Sequence, residues 1–92
     1  MDIKQGNGKF YIGESEDNYT AQITFKNGGN SIIVVDHTFV DPSLRGQGVA
    51  GKLMQRLVEY ARTEELKVVP VCSYAVVSFK RHKEYQDVLL NK

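Results

Sequence analysis

At 92 residues, with 41% apolar and 25% charged side chains, the chain has the composition of a globular protein and room for a single compact domain, residues 1–92. Its 12 basic residues nearly cancel the 11 acidic ones, so a formal charge of +1 argues against broad charge-driven binding to nucleic acid or to a membrane surface. The one cysteine excludes an internal disulfide, and Cys72 with two separated histidines makes no zinc site.

In chain order, FYIGE (10–14) and YTAQITFK (19–26) read as strands of an antiparallel hairpin, with ESEDN supplying the turn. Ala21, Ile23 and Phe25 alternate with polar neighbours, the pattern of a half-buried strand. NGGN at 27–30 is a second hairpin turn, because Asn and Gly tolerate positive φ. SIIVVDHTFV then reads as a third strand, and its unbroken Ile and Val content predicts burial on both faces. Asp41 and Pro42 end it.

From Gln47 to about Glu64, Val49, Ala50, Leu53, Met54, Leu57, Val58 and Ala61 recur at helical spacing, with Lys52, Gln55, Arg56, Glu59 and Arg62 on the other side. LKVVPVCS follows as a fourth strand and Tyr74 to His82 as a short amphipathic helix. YQDVLL either adds a final strand or lies along an edge. The expected order is thus an antiparallel meander feeding one βαβ crossover, with the third and fourth strands parallel neighbours joined right-handed. Lys80, Arg81, His82 and Lys83 form the only basic cluster, read either as a solvated helix end or as cations for an anionic ligand tail.

The stretch VDPSLRGQGVAGKLM (40–54) carries three overlapping phosphate-binding patterns. Gly46, Gly48 and Gly51 fit GxGxxG, Gly46 to Lys52 fit GxxxxGK, and Arg45, Gly48 and Ala50 fit RxxGxA. All rest on the same physics, since glycines let the backbone approach an anion and the free amides of a helix N-terminus point at it. A dinucleotide fold needs further βα units and an acidic residue ending the next strand, where this chain has Val71, Cys72 and Ser73. A P-loop needs Ser or Thr after the lysine, where Leu53 stands. A tight strand-to-helix connection with no ligand is the structural alternative.

RGQGVA, placed after the central strand of a meander and before the long helix, resembles the acyl-CoA pyrophosphate loop of the GCN5-related N-acetyltransferases. The resemblance covers roughly residues 19–82 and implies an α+β fold with a mixed sheet, the meander and crossover above, and a short C-terminal helix. It implies acetyl-CoA as the cofactor, its pyrophosphate held by Arg45, Gly46, Gln47, Gly48, Val49 and Ala50. Thr38, Phe39 and Val40 would pair with the pantetheine arm where the third and fourth strands splay, a place where Pro70 costs little.

The sequence departs from the family pattern farther on. Aligned on Ala75, Cys72 stands where an Asn is usual and Phe79 where a Tyr often serves as general acid; Phe79 has no proton to give. A compact subgroup with a strand ending in Cys-Ser is most similar. Cys72 is either a packed thiol or a nucleophile that takes the acyl group, which requires a pKa lowered from about 8.5. His37 is either a backbone-bonded strand histidine or a general base for an amine, able to pair with Cys72 across the parallel strands. Alternation places Asp36 on the face opposite His37.

Three readings of function stand: acetyl transfer to an unidentified amine, directly or through Cys72; a module that binds acetyl-CoA or CoA with little turnover; and an interaction domain whose loop holds nothing. The chain starts at the meander without the helical segment that covers the acceptor in larger family members, so a shallow acceptor site is expected. No apolar stretch is long enough to span a bilayer and no signal peptide follows Met1, so the expected location is cytoplasmic.

Overall fold

The computed structural model describes residues 2–90. Its five strands form one sheet in sequence order. These are β1 (Lys4–Gly6), β2 (Lys9–Ser15), β3 (Asn18–Gly29), β4 (Ile32–Val40) and β5 (Lys67–Pro70), with helices α1 (Val49–Thr63) and α2 (Ser73–Arg81). The first four strands are antiparallel and β5 runs parallel to β4, as the meander and crossover require. No helix of the described residues is long and apolar enough to cross a membrane.

The elements follow from local chemistry. Phe10, Ala21, Ile23, Ile33, Val35 and Val68 present one sheet face to Leu53, Met54, Leu57, Val58 and Ala61 of α1 and to Ala75 and Phe79 of α2, forming one core. At about 1.5–3 kcal/mol for each large side chain removed from water, this face is the main source of stability. The face carrying Tyr11, Gln22, Val34, His37 and Phe39 points away from that core and is called the outer face below.

Several expectations need correction. The strand β1 was not legible, because KQG carries no apolar alternation; its pairing with β2 makes it a strand. The second hairpin keeps Gly29 in β3 and turns at Asn30 and Ser31, with φ of 51° and 61°. Strand β4 is buried on one face only: Ile33 and Val35 are inside, while Ile32 and Val34 are half-covered because no helix lies over them. The fourth strand stops at Pro70, the last residue paired with β4, so Val71 and Cys72 lie beyond it. YQDVLL takes the edge option, through a Val68–Leu89 bridge.

The edge segment is held by two backbone bonds, Val68 N–H to Val88 O at 2.7 Å and Leu90 N–H to Val68 O at 2.9 Å. Arg62 of α1 fastens it further, its Nε donating to Asp87 Oδ2 at 2.7 Å and its Nη2 to Asp87 Oδ1 at 3.0 Å.

A register shift in β4 matters most for the site. Thr24 pairs with His37 and Phe25 with Val35, so Asp36 is an extra residue in the ladder, a β-bulge. Beyond it the side-chain alternation is reversed. Thr38 and Val40 take the core face, while His37 and Phe39 take the outer one.

Candidate functional site

Strands β4 and β5 part company at Val35. Its carbonyl accepts from both Val71 N–H at 2.9 Å and Cys72 N–H at 3.2 Å, and there the parallel ladder ends. From Asp36 to Val40, about 16 Å of strand at ~3.3 Å per residue, β4 keeps its bonds to β3 but has no strand partner on the β5 side among the described residues. A wedge therefore opens toward the end of β4, and the glycine loop lies at its mouth.

The loop is built to leave amides free. Asp41 caps the single turn Pro42–Leu44 through Ser43 N–H, and Arg45 N–H donates to Pro42 O at 3.2 Å. Gly46 and Gly48 then take φ of 83° and 73°, the left-handed region that glycine reaches without strain. Gly48 caps α1 with no side-chain hydrogen bond. The next backbone amide to find a partner among the described residues is that of Lys52, at 3.1 Å from Gly48 O. The N–H groups of the loop and first turn thus remain available, at the positive end of the helix dipole.

A cavity of about 410 Å³ lies over this turn, lined by Val40, Leu44, Arg45, Gly46, Gly48, Val49, Ala50, Gly51 and Tyr74. A larger cleft of about 710 Å³ sits at the opposite end of the sheet, between the hairpin turns and Tyr60. It holds neutral amides and no free helix N-terminus, so the smaller cavity is the better anion site. Val49 is 2% exposed and belongs to the core, hence it offers the site only its backbone. Gln47 points back, its Nε2 donating to Ser43 O at 3.5 Å.

Tyr74 escaped the sequence reading, since its position on α2 gives no hint that it crosses to α1. A side chain at Gly51 would meet its hydroxyl at 3.8 Å, so the two helices approach closely there. Partial burial pushes the Tyr74 phenol above its ordinary pKa.

Cys72 sits at the apex of the wedge as the N-cap of α2. Its Sγ accepts from Ala75 N–H at 3.4 Å and shares a hydrogen bond of 3.5 Å with Thr38 Oγ1. The thiol is half-buried against the core. The pairing of Cys72 with His37 that the sequence left open does not occur: the bulge turns the imidazole to the outer face and brings Thr38 to the thiol instead. Asp36 is likewise not opposite His37, because both flank Thr24, whose hydroxyl donates to Asp36 Oδ1 at 2.6 Å. That bond holds the Asp36 carboxyl below the usual carboxylate range. Phe79 is 2% exposed in the core, so its position does not face the wedge. Of the cationic cluster, His82 pairs with Glu84 and stacks on Tyr85, while Lys80 and Arg81 are exposed.

A family model described as GCN5-related N-acetyl-transferase matches residues 9–88. The solution structure of a GCN5-like protein from Staphylococcus aureus is similar over 99% of this chain and 89% of its own, with 45% identity and a TM-score of 0.83. A GNAT family acetyltransferase from Elizabethkingia anophelis, solved with acetyl-CoA bound, shares the fold at 11% identity and a TM-score of 0.59, over 84% of this chain and 51% of its own. N-acetylglutamate synthase from Neisseria gonorrhoeae, complexed with coenzyme A and N-acetyl-glutamate, does so at 11% identity and a TM-score of 0.63, over 87% of this chain and 22% of its own. No protein of curated function matches the sequence.

Proposed function

This chain belongs to the GCN5-related N-acetyltransferase family, and from that premise we propose that it binds acetyl-CoA through residues 45–50 and transfers the acetyl group to an amine. The observation that carries the reading is the start of α1, where no side chain caps the helix and two left-handed glycines leave a run of amides unpartnered beneath a cavity. A diphosphate fits that donor set, because it brings acceptors and charge where the backbone offers only donors. A Cβ at Gly46 or Gly48 would meet nothing within 4 Å beyond its chain neighbours, consistent with space kept for a ligand. The relatives solved with CoA or acetyl-CoA support the same cofactor.

Thr38 to Val40 supply free backbone groups along one side of the wedge for the amide-bearing pantetheine arm. Arg45 lends a cation at the loop, and Tyr74 forms the opposite wall. Acetyl-CoA supplies an activated acyl group: a C–N bond forms as the C–S bond breaks, and an ammonium acceptor yields amide, CoA thiol and one proton. His37 on the outer face is the candidate to receive that proton. Cys72, on the core side and bonded to Thr38, is the candidate acyl acceptor in a two-step route. The separation of these residues by the bulge favours direct transfer, since a base for Cys72 is not at hand.

Calorimetric titration with CoA, acetyl-CoA and ATP tests the binding claim. CoA and acetyl-CoA are expected to bind and ATP to bind far more weakly; equal ATP binding or no CoA binding would overturn it. The intact mass after incubation with acetyl-CoA, for the native chain and Cys72→Ala, tests the route. An acetyl adduct confined to the native thiol supports the covalent path, and turnover that survives Cys72→Ala rules it out. A second reading, a CoA-binding module with little turnover, is favoured by the burial of Phe79 in place of a phenol acid. It predicts tight binding with no acetylated product from any amine.

A further inference from the structure

The cleft of about 710 Å³ lies at the end of the sheet away from the glycine loop. Asn7 and Gly8, in the turn between β1 and β2, form one side of its rim, and Asn30 and Ser31, in the turn between β3 and β4, form the other. Tyr60 and Leu66 close it near the C-terminal end of α1. Ile33 lines this cleft and Val40 lines the loop cavity, so the two lie about 23 Å apart along β4 at ~3.3 Å per residue. The cleft is therefore separate from the acyl-transfer site.

Its chemistry differs from that of the chain as a whole. Charged residues make up 25% of the sequence, yet none of the residues lining the cleft is charged. Three of the five asparagines, Asn7, Asn27 and Asn30, gather there with Gln5 and Ser31, all of them exposed. A side-chain amide offers both donors and an acceptor. That of Asn27 is fixed by Gly29 N–H, which donates to its Oδ1 at 2.8 Å. Beneath this rim lie Phe25 and Tyr60, half-buried, with ring centroids 5.6 Å apart. The buried ring of Phe10 backs both, at 5.9 and 5.4 Å.

The rim is also held in an unfavourable conformation. Three non-glycine residues among those described have positive φ: Asn30 at 51°, Ser31 at 61° and Glu65 at 58°. Two of them line the cleft and the third adjoins Leu66 in its wall. Serine is strained in the left-handed region where glycine is not, and such strain persists where the surroundings enforce it, often around ligands. Here Ser31 O accepts from Lys67 N–H and Gly8 O from Phe25 N–H, both at 2.9 Å. Both turns are thus pinned through their backbones.

We propose that this cleft binds a neutral pyranose, with a C–H face of the sugar on Phe25 and Tyr60 and its hydroxyls bonded to Asn7, Asn27, Asn30 and Ser31. A sugar hydroxyl donates and accepts, as a side-chain amide does, so each completes the other. A pyranose with equatorial hydroxyls keeps its faces apolar, which suits an aromatic floor. A charged ligand would leave water for a cleft that offers it no counter-ion. The volume falls within the ~300–1,000 Å³ of small-molecule sites. This site needs no CoA and stands whether or not the acyl-transfer reading holds.

The test uses the full chain without CoA. Methyl β-D-glucopyranoside and cellobiose are the neutral probes, and glucosamine and glucuronate the charged controls. The side-chain NH₂ resonances of Asn7, Asn27 and Asn30, followed by ¹⁵N NMR, are expected to shift saturably with a neutral probe and not with either control. Asn7→Ala and Ser31→Gly should each weaken that binding at least threefold and leave CoA affinity unchanged. Ser31→Gly should also unfold at the same or a higher temperature, because glycine relieves the left-handed strain. No saturable shift with either neutral sugar, equal shifts with the charged controls, or native affinity in both variants would each overturn the proposal. Should a variant not fold, the native resonances still decide. Failure of CoA to bind, measured separately, overturns only the acyl-transfer reading.

Discussion

Replacing Gly48 separates what the loop needs to fold from what it needs to bind. With φ at 73° and ψ at 19°, Gly48 occupies the left-handed region, and an added Cβ would meet nothing within 4 Å beyond its chain neighbours. The stability cost of Gly48→Ala is therefore conformational and not steric, about 1–2 kcal/mol for an L-residue held there. For a domain of this size that corresponds to a midpoint lowered by roughly 4–16 °C, at about 4–8 °C per kcal/mol. Gly48→Val should cost more, because a β-branched side chain restricts the backbone further.

Binding should suffer beyond this. The methyl enters the space the diphosphate is proposed to fill, and loss of one charge-assisted amide contact, about 1.5–3 kcal/mol, weakens CoA by roughly 10- to 150-fold at 1.4 kcal/mol per decade. Thermal melts and CoA calorimetry on Gly48→Ala, Gly48→Val and Gly48→Asn separate the two effects. Asn tolerates left-handed φ, so Gly48→Asn should recover much of the stability without the affinity. A variant that melts lower but binds CoA with native affinity would refute the loop assignment, and one that melts unchanged would refute the backbone argument.

Other substitutions probe the scaffold. Leu57→Ala removes a fully buried side chain from the centre of α1 and should cost about 2–5 kcal/mol in urea unfolding; a loss below about 1 kcal/mol would mean that α1 is not packed on the sheet as described. Thr24→Val removes the donor that holds the Asp36 pKa down. A carboxyl depressed in the folded state stabilises above its unfolded pKa, and that contribution fades as pH falls through the folded value. The gap in unfolding midpoint between native chain and Thr24→Val should thus be present at neutral pH and close in acid; a gap constant across that range would exclude Asp36 as its source. Arg62→Ala cuts the link from α1 to Asp87, an exposed pair expected to matter little for global stability. Hydrogen exchange at Val68 and Leu90 should accelerate while the global midpoint moves little, and unchanged exchange would show that the edge bonds hold unaided.

Much of the architecture was legible because it follows from short-range patterns. Ala21, Ile23 and Phe25 alternate, the apolar stripe of α1 repeats at helical spacing, and Asp41-Pro42 stops a strand by removing a donor; each is a property of neighbours in the chain. The same holds for RGQGVA, whose glycines announce a backbone conformation before any contact is known. The alternation rule misled at Asp36, because one extra residue in a ladder leaves no mark in composition. It set Asp36 and His37 on opposite faces, whereas the bulge puts both beside Thr24 and removes the Cys72–His37 pair that the sequence allowed.

By itself, then, the sequence determined the α+β order from β2 to α2, the core face of β3 and α1 and the glycine loop before α1, since each rests on residues close together along the chain. Tertiary structure alone decided which side chains share a face beyond the bulge, that Tyr74 walls the loop cavity, that Thr38 meets Cys72, and that Gln22 Oε1 is buried without a partner among the described residues. Each of these depends on the register between strands or on helices meeting across the core. Such relations are fixed by packing between distant segments, and no local pattern encodes them.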